Sequence, residues 1–201
     1  VMALVTTRAA SEAPPPAKKP RKDEAVVILD PGLSFGTGQH PPTRFCLEEL
    51  VKARARHGKS SLLDIGCGSG ILAIAAAKIG YERVEAFDYD PEAVRVAGKN
   101  ADLNAVRATI HLARRDLTRL SGKVSRSFDV VCANLTSDLL VSEAGKIGQR
   151  VGSGGRLVLA GILAAQFAGV EEAFGRHGFE LVRSRRKAEW KSGAFRRDSG
   201  G

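Results

Sequence analysis

The stretch LLDIGCGSG, Leu62 to Gly70, constrains the fold of this chain more than any other. LLDI reads as a buried strand, and ILAIAAAKIG, which follows, reads as a helix closing at Gly80. Strand, glycine turn and helix in that order put the free N–H groups of a helix N-terminus beside the carboxyl end of a strand, a place where ligands bind. The glycines are Gly66, Gly68 and Gly70, spaced G-x-G-x-G. A dinucleotide fingerprint needs G-x-G-x-x-G, and a phosphate-binding P-loop needs a lysine after its glycines, so this loop is neither. Glycine is required because backbone passes close under a ligand. Asp64 at the strand end suits a ligand that carries positive charge.

The same alternation continues along the chain. VVIL (Val26 to Leu29) reads as a short strand and Thr43 to His57 as a helix with Phe45, Leu47, Leu50 and Val51 apolar. VEAFD is a strand, and PEAVRVAGKNADLN a helix with Pro91 at its start. IHLA and FDVVCAN are strands, Ser137 to Arg150 is helical, and GRLVLAGI is a strand. AQFAGVEEAFGRHG is a helix, and FELVRSRR and GAFRR are the last two strands. Such alternation means an α/β domain, a mostly parallel sheet covered by helices on both faces. The last two strands are close in sequence and predict an antiparallel hairpin at one edge.

The first 24 residues differ in kind. SEAPPPAKKPRKDE, residues 11–24, is polar and proline-rich and reads as a linker, preceded by a stub in which VMALVTT can form one strand. The domain proper is expected over residues 25–201. The 201-residue chain opens on Val1, as a piece of a longer protein would, with no signal-peptide pattern and no apolar run of membrane-spanning length. Hydrophobic residues make up 43% of the chain, enough for a core. Cys46, Cys67 and Cys132 form no metal-binding spacing, and their odd number and scatter suit a reducing compartment, the cytoplasm. They read as small apolar fillers, and no metal site is expected.

Net charge is +9. Part of the excess lies in RSRRKAEWKSGAFRR, Arg183 to Arg197, with seven basic residues and one acidic, and in AKKPRK, Ala17 to Lys22, with four more. A basic surface suits an acidic partner such as RNA, and a solvated face explains it equally well.

Three further strand ends carry polar groups. Asp88 closes VEAFD, where a carboxylate can accept hydrogen bonds from both ribose hydroxyls. Asp90, before Pro91, reads as a helix cap. Asp116 and Leu117 follow the IHLA strand, where an adenine edge can be read. Asn134 ends VVCAN and points into the crevice. A second loop, LDPGLSFGTGQHPPT (Leu29 to Thr43), holds three glycines and three prolines and forms neither helix nor sheet core.

DIGCGSG, FDYD and CANL resemble class I S-adenosylmethionine-dependent methyltransferases. LDPGLSFGTGQHPPT, DIGCGSGILAIAAAKIG, VVCANLTSDLL and LAGIL together resemble the PrmA family, which methylates large-subunit ribosomal protein eleven. The likeness runs from about Val27 to Arg197 and takes in Glu189-Trp190. It implies a Rossmann-like fold with a seven-stranded, mostly parallel sheet, an antiparallel edge hairpin and helices on both faces. It implies S-adenosylmethionine as cofactor, bound by Thr43, Asp64, Gly66, Cys67, Gly68, Gly70, Asp88, Asp116, Leu117 and Asn134. It makes Asn134, Phe35 and His40 the candidate catalytic residues, with the Phe35 to His40 loop closing over the methyl donor. Gln39 and Pro42 stand where the family usually has threonines. The family's N-terminal substrate-recognition domain is represented here only by the stub and linker.

The implied reaction is methylation of an amine, lysines of a ribosomal protein, chiefly by alignment of amine and methyl group. Two alternatives stay open. One is a methyltransferase for another protein lysine or for RNA, the latter with contact through the basic C-terminal hairpin; nucleobase amino-methyltransferases commonly carry Asn-Pro-Pro-aromatic where this chain has Asn134-Leu135-Thr136. The other is a cofactor-binding module without turnover.

Overall fold

Leu62 and Leu63 are both buried yet belong to different hydrophobic clusters, as do Val130 and Val131, and Leu157 and Val158. Successive side chains of a strand point to opposite faces, so these pairs mark strands covered on both sides. The computed structural model of the chain describes residues 4–9, 24–30, 40–57 and 60–197. Nine strands are found among them: β1 (Leu4–Ala9), β2 (Glu24–Leu29), β3 (Ser61–Ile65), β4 (Arg83–Asp88), β5 (Ile110–Arg114), β6 (Phe128–Asn134), β7 (Val151–Leu163), β8 (Phe179–Lys187) and β9 (Trp190–Arg197). Six α-helices accompany them: α1 (Pro41–His57), α2 (Ile71–Lys78), α3 (Pro91–Leu103), α4 (Ser137–Ser142), α5 (Ala144–Gly148) and α6 (Phe167–Gly175).

Seven strands form one sheet in the order β5-β4-β3-β6-β7-β9-β8. The first five are parallel; β9 runs antiparallel to β7, and β8 antiparallel to β9. The expected edge hairpin is therefore present. VVIL is not in this sheet. It belongs to β2, which pairs in parallel with β1.

Helices α1, α2 and α3 cover one face around Phe45, Leu50, Ile74 and Ala97. Helices α4, α5 and α6 cover the other around Leu140, Ile147, Phe167 and Phe174. Helix α2 buries six consecutive residues, Ile71 to Ala76, and its alanines let it lie close to its neighbours. Helix α3 starts at Pro91 with the Asp90 carboxylate accepting from Glu92 N at 2.8 Å, the expected cap.

The single helix expected over Ser137–Arg150 is broken at Glu143, which has φ −107° and ψ 12°. The second piece holds Gly145 and Gly148, which weaken it as a helix. Gly148 is there for packing: a Cβ on it would stand 2.9 Å from Phe179 Cε2.

Two asparagines of α3 and its cap tie β2 to the rest. Asn104, the C-cap, accepts from Ile28 N at 2.9 Å and donates to Ile28 O at 2.6 Å. Asn100, fully buried, accepts from Asp30 N at 3.0 Å and donates to Ser69 O at 2.9 Å. Asn100 thus joins the end of β2, where the second glycine-rich loop begins, to the glycine turn after β3. No helix among the described residues is long and apolar enough to cross a membrane.

Candidate active site

The sheet reverses direction of winding at β3, with β4 and β5 on one side and β6 and β7 on the other. Ligands bind at such a switch point, outside the carboxyl ends of the strands. Here the turn Gly66–Gly70 leaves β3. Gly66 N and Cys67 N both donate to Phe87 O, at 2.9 and 3.1 Å, and Gly70 N donates to Cys67 O at 2.8 Å. Gly70 has φ +77°, and a Cβ on it would lie 2.9 Å from Ala97 Cβ, so α2 and α3 meet where only glycine fits.

Asp88, at the end of β4, is buried and holds this turn. Its Oδ2 accepts from Gly68 N at 3.0 Å and its Oδ1 from Asp90 N at 3.1 Å. A carboxylate has about four acceptor positions, so two remain for hydroxyl donors. Asp64 is buried at 1% exposure, and its Oδ2 has no hydrogen-bond partner. Burial pushes its pKa up to about 7; a bond from Ala73 N opposes this and the Asp88 charge adds to it. A buried carboxylate oxygen left without a partner in a turn built from backbone fits a cationic group.

Beside the turn is a cleft of about 250 Å³ lined by Gly66, Asp88, Asp116, Leu117 and Asn134 from the expected set. Its volume is near the small end of ligand sites. Phe87, Tyr89, Leu135 and Leu139 give it apolar walls, and Arg115 and Thr118 complete the polar rim. Apolar walls with a carboxylate able to take hydroxyls fit a nucleoside. The Asp116 carboxylate is itself engaged: Thr118 N and Oγ1 donate to its Oδ1 at 2.9 and 2.7 Å, which holds its pKa below the usual range. Asn134 is half-buried, and its side-chain amide makes no hydrogen bond to any described residue.

Among the described residues, the remaining expected ones do not line the cleft. Gly68 acts through Asp88. Thr43 is buried in the first turn of α1. Cys67 is buried, and burial drives its thiol pKa upward, as it does for Cys46 and Cys132. These thiols stay protonated and serve as fillers. Phe35 lies outside the described residues, as do Gln39 and the glycines beside it. His40 is exposed just before α1, and its ring meets Trp190 edge-on at 5.4 Å between centroids. Trp190 opens β9 opposite Leu163, at the carboxyl end of β7, so His40, Asn134 and Trp190 share one end of the sheet.

Tyr89, Arg115, Leu135 and Leu139 were not among the sequence-derived candidates. Tyr89 carried a signal, since it directly follows Asp88; in the fold it lines the cleft and is 74% exposed. Leu139 is brought in by α4 and had none.

A family profile described as ribosomal protein L11 methyltransferase (PrmA) matches residues 9–198. The ribosomal protein L11 methyltransferase of Geobacter sulfurreducens is 44% identical over 179 residues, covering 89% of this chain and 57% of that protein. That of Pelobacter propionicus is 41% identical over 189 residues, 92% of this chain and 59% of that protein. The chain thus spans less than two thirds of the length of these relatives. The crystal structure of a ribosomal protein L11 methylase from Lactobacillus delbrueckii subsp. bulgaricus superposes with TM-score 0.84 at 29% identity, covering 96% of this chain and 95% of that one. A magnesium protoporphyrin IX methyltransferase from Synechocystis shares the fold, with TM-score 0.61 at 18% identity over 77% of this chain and 79% of that one. The glycine turn held by Asp88, the cleft between β4 and β6 and a profile running from residue 9 to residue 198 agree: this chain belongs to the ribosomal protein L11 methyltransferase (PrmA) family.

Proposed function

We propose that the chain is the catalytic domain of an S-adenosylmethionine-dependent methyltransferase acting on amine nitrogens, lysines of a ribosomal protein, in the cytoplasm. The observation that carries this reading is the cleft that opens between Asp88 on β4 and Asn134 on β6, beside the glycine turn. The names of the relatives support the substrate class, and their greater length leaves room for substrate-recognition parts beyond this chain.

When bound, S-adenosylmethionine supplies a sulfonium methyl group that an amine lone pair can take. Asp88 would accept hydrogen bonds from the ribose hydroxyls, and its anionic charge would repel a 2′-phosphate. Leu117 and the apolar walls would enclose the adenine, and Asp64 would favour the cationic amino-acid end. A lysine at neutral pH is charged and has no lone pair. A half-buried site disfavours the ammonium form, and the Asn134 Oδ1 can orient the neutral amine as an acceptor of its N–H. The displaced proton leaves to solvent. Alignment then supplies most of the acceleration.

The RNA alternative drew on the basic hairpin. Much of that charge has partners inside the chain: Arg185 Nη2 pairs with Glu48 at 2.5 Å, Arg183 with Glu49, Arg196 with Glu180 at 3.0 Å, and Arg197 donates to Gly148 O and Val151 O. This weighs toward the protein substrate.

The test is incubation with methyl-labelled S-adenosylmethionine and unmethylated ribosomal proteins, alongside calorimetry of cofactor binding. One labelled band at the size of protein L11 is expected. Cofactor binding without label on any ribosomal protein would overturn the substrate assignment; label on RNA would move it to the alternative.

A further inference from the structure

Asn134 lines the cleft and its amide makes no hydrogen bond to the described residues, so packing must fix its position. The adjoining strand supplies it. Asn134 pairs with Ala160 of β7, and the next residue, Gly161, has φ +76°. There the register of β7 against β9 shifts, between Leu159 and Ile162. A Cβ on Gly161 would stand 2.7 Å from Asn134 Oδ1, 2.9 Å from Leu135 O and 3.4 Å from Leu135 N. On the other side, a Cβ on Gly66 would stand 2.5 Å from Leu135 Cδ2. Asn134 and Leu135 are therefore seated between two glycines in left-handed conformation, one from the cofactor turn and one from β7.

We propose that Gly161 is a positioning residue for the methyl acceptor: its missing side chain lets the Asn134 Oδ1 and the Leu135 backbone sit where they do. The inference rests on the role given to Asn134 above. A methyl group at 161 cannot be absorbed by rotating the Asn134 side chain alone, because the Leu135 carbonyl is backbone and must move as well.

Gly161→Ala carries two effects, displacement of Asn134 and the strain of a side chain at positive φ. Gly154→Ala separates them. Gly154 has φ +67° in the same strand, and a Cβ there meets nothing within 4 Å. The first readout needs no turnover: the side-chain amide resonance of Asn134 in the full chain, assigned by its loss in Asn134→Ala. It should move in Gly161→Ala and stay in Gly154→Ala. In the methylation assay, Gly161→Ala should lower kcat by about tenfold or more, since misplacement on the order of 1 Å can cost about a hundredfold. The cofactor dissociation constant should change by a smaller factor than kcat, since Leu135 is also part of the cleft wall. In the Asn134→Ala background, Gly161→Ala should cost a much smaller factor in kcat than it does in the wild type, because its main effect acts through Asn134.

An unmoved Asn134 resonance in folded Gly161→Ala, or additive losses in the double variant, overturns the proposal. If Gly161→Ala does not fold, recovery of folding in the double variant supports it, and failure to recover overturns it. If the wild-type chain methylates nothing, the resonance still decides on the seating of Asn134, and only the assignment of function falls.

Discussion

Two carboxylates beside the same glycine turn, one near it in sequence and one brought to it by β4, have opposite characters. Asp88 accepts two backbone donors, whereas Asp64 has an oxygen with none. Asp88→Ala should weaken cofactor binding about a hundredfold or more and cost about 1–3 kcal/mol of stability through its lost charge-assisted bonds, read by calorimetry and by denaturant melts. Asp64 makes a claim about pH. Its pKa is pushed up to about 7 from 3.8, so between those values the folded chain holds a proton that the unfolded chain has released. Stability must then fall as pH rises from about 4 to about 7, and level off above. Asp64→Asn should remove that slope, measured by urea unfolding at pH 5 and pH 8. Glu48 acts in the other direction: the Arg185 bond holds its pKa below 4.5, so it stabilises above that pH and is lost on acidification. Asn134→Ala should lower kcat more than cofactor affinity; equal losses would limit it to binding. Asp64, Asp88 and Asn134 were legible as candidates in sequence because each lies at or next to the end of an apolar strand, and strand ends are local features. Gly161 and Leu139 were not, because their meaning comes from contacts across the sheet and between helices. The set also included Cys67 and Thr43, which are buried and are not among the residues that line the cleft.

Most elements are set by local pattern, and the exceptions show where tertiary packing decides. Helix α3 was readable from Asp90-Pro91 and its amphipathic spacing. The break at Glu143 was not, because Gly148 serves Phe179, 31 residues on by the numbering. Strand β7 begins at Val151 rather than Gly155, extended through a glycine-rich start that no propensity favours. The docking of α1 on the β8–β9 hairpin was hidden too, since a charge run looks solvated in sequence. In the fold, Glu49 is buried against Arg183 and Lys52, and Arg183 and Arg185 lie over the Phe45 ring. Arg183→Ala leaves Glu49 with Lys52 alone, so a loss of about 2 kcal/mol is expected. That is less than the roughly 3–5 for a fully buried pair, because the Arg183 side chain is 32% exposed. Thermal denaturation at matched pH would show it.

Across the whole molecule, the sheet divides the core into two clusters that do not share residues. Phe195 anchors the second, with its ring against Phe167 and Phe174 at 6.4 and 6.1 Å. Phe195→Ala should cost about 3–5 kcal/mol, a fall of about 10 °C in Tm for a chain of this size, followed by calorimetric scanning. The first cluster includes Val27 and Leu29 of β2, so the small β1–β2 sheet shares the core of the large one. What happens at the far side of β2 bears on how these molecules behave in a crowded solution. Asn104 both donates to and accepts from Ile28, as the peptide group of a further strand would. One carboxamide thus caps the ladder with a final rung. Without it, Ile28 would present an open N–H and C=O pair, a template on which another chain could add a strand and begin to aggregate.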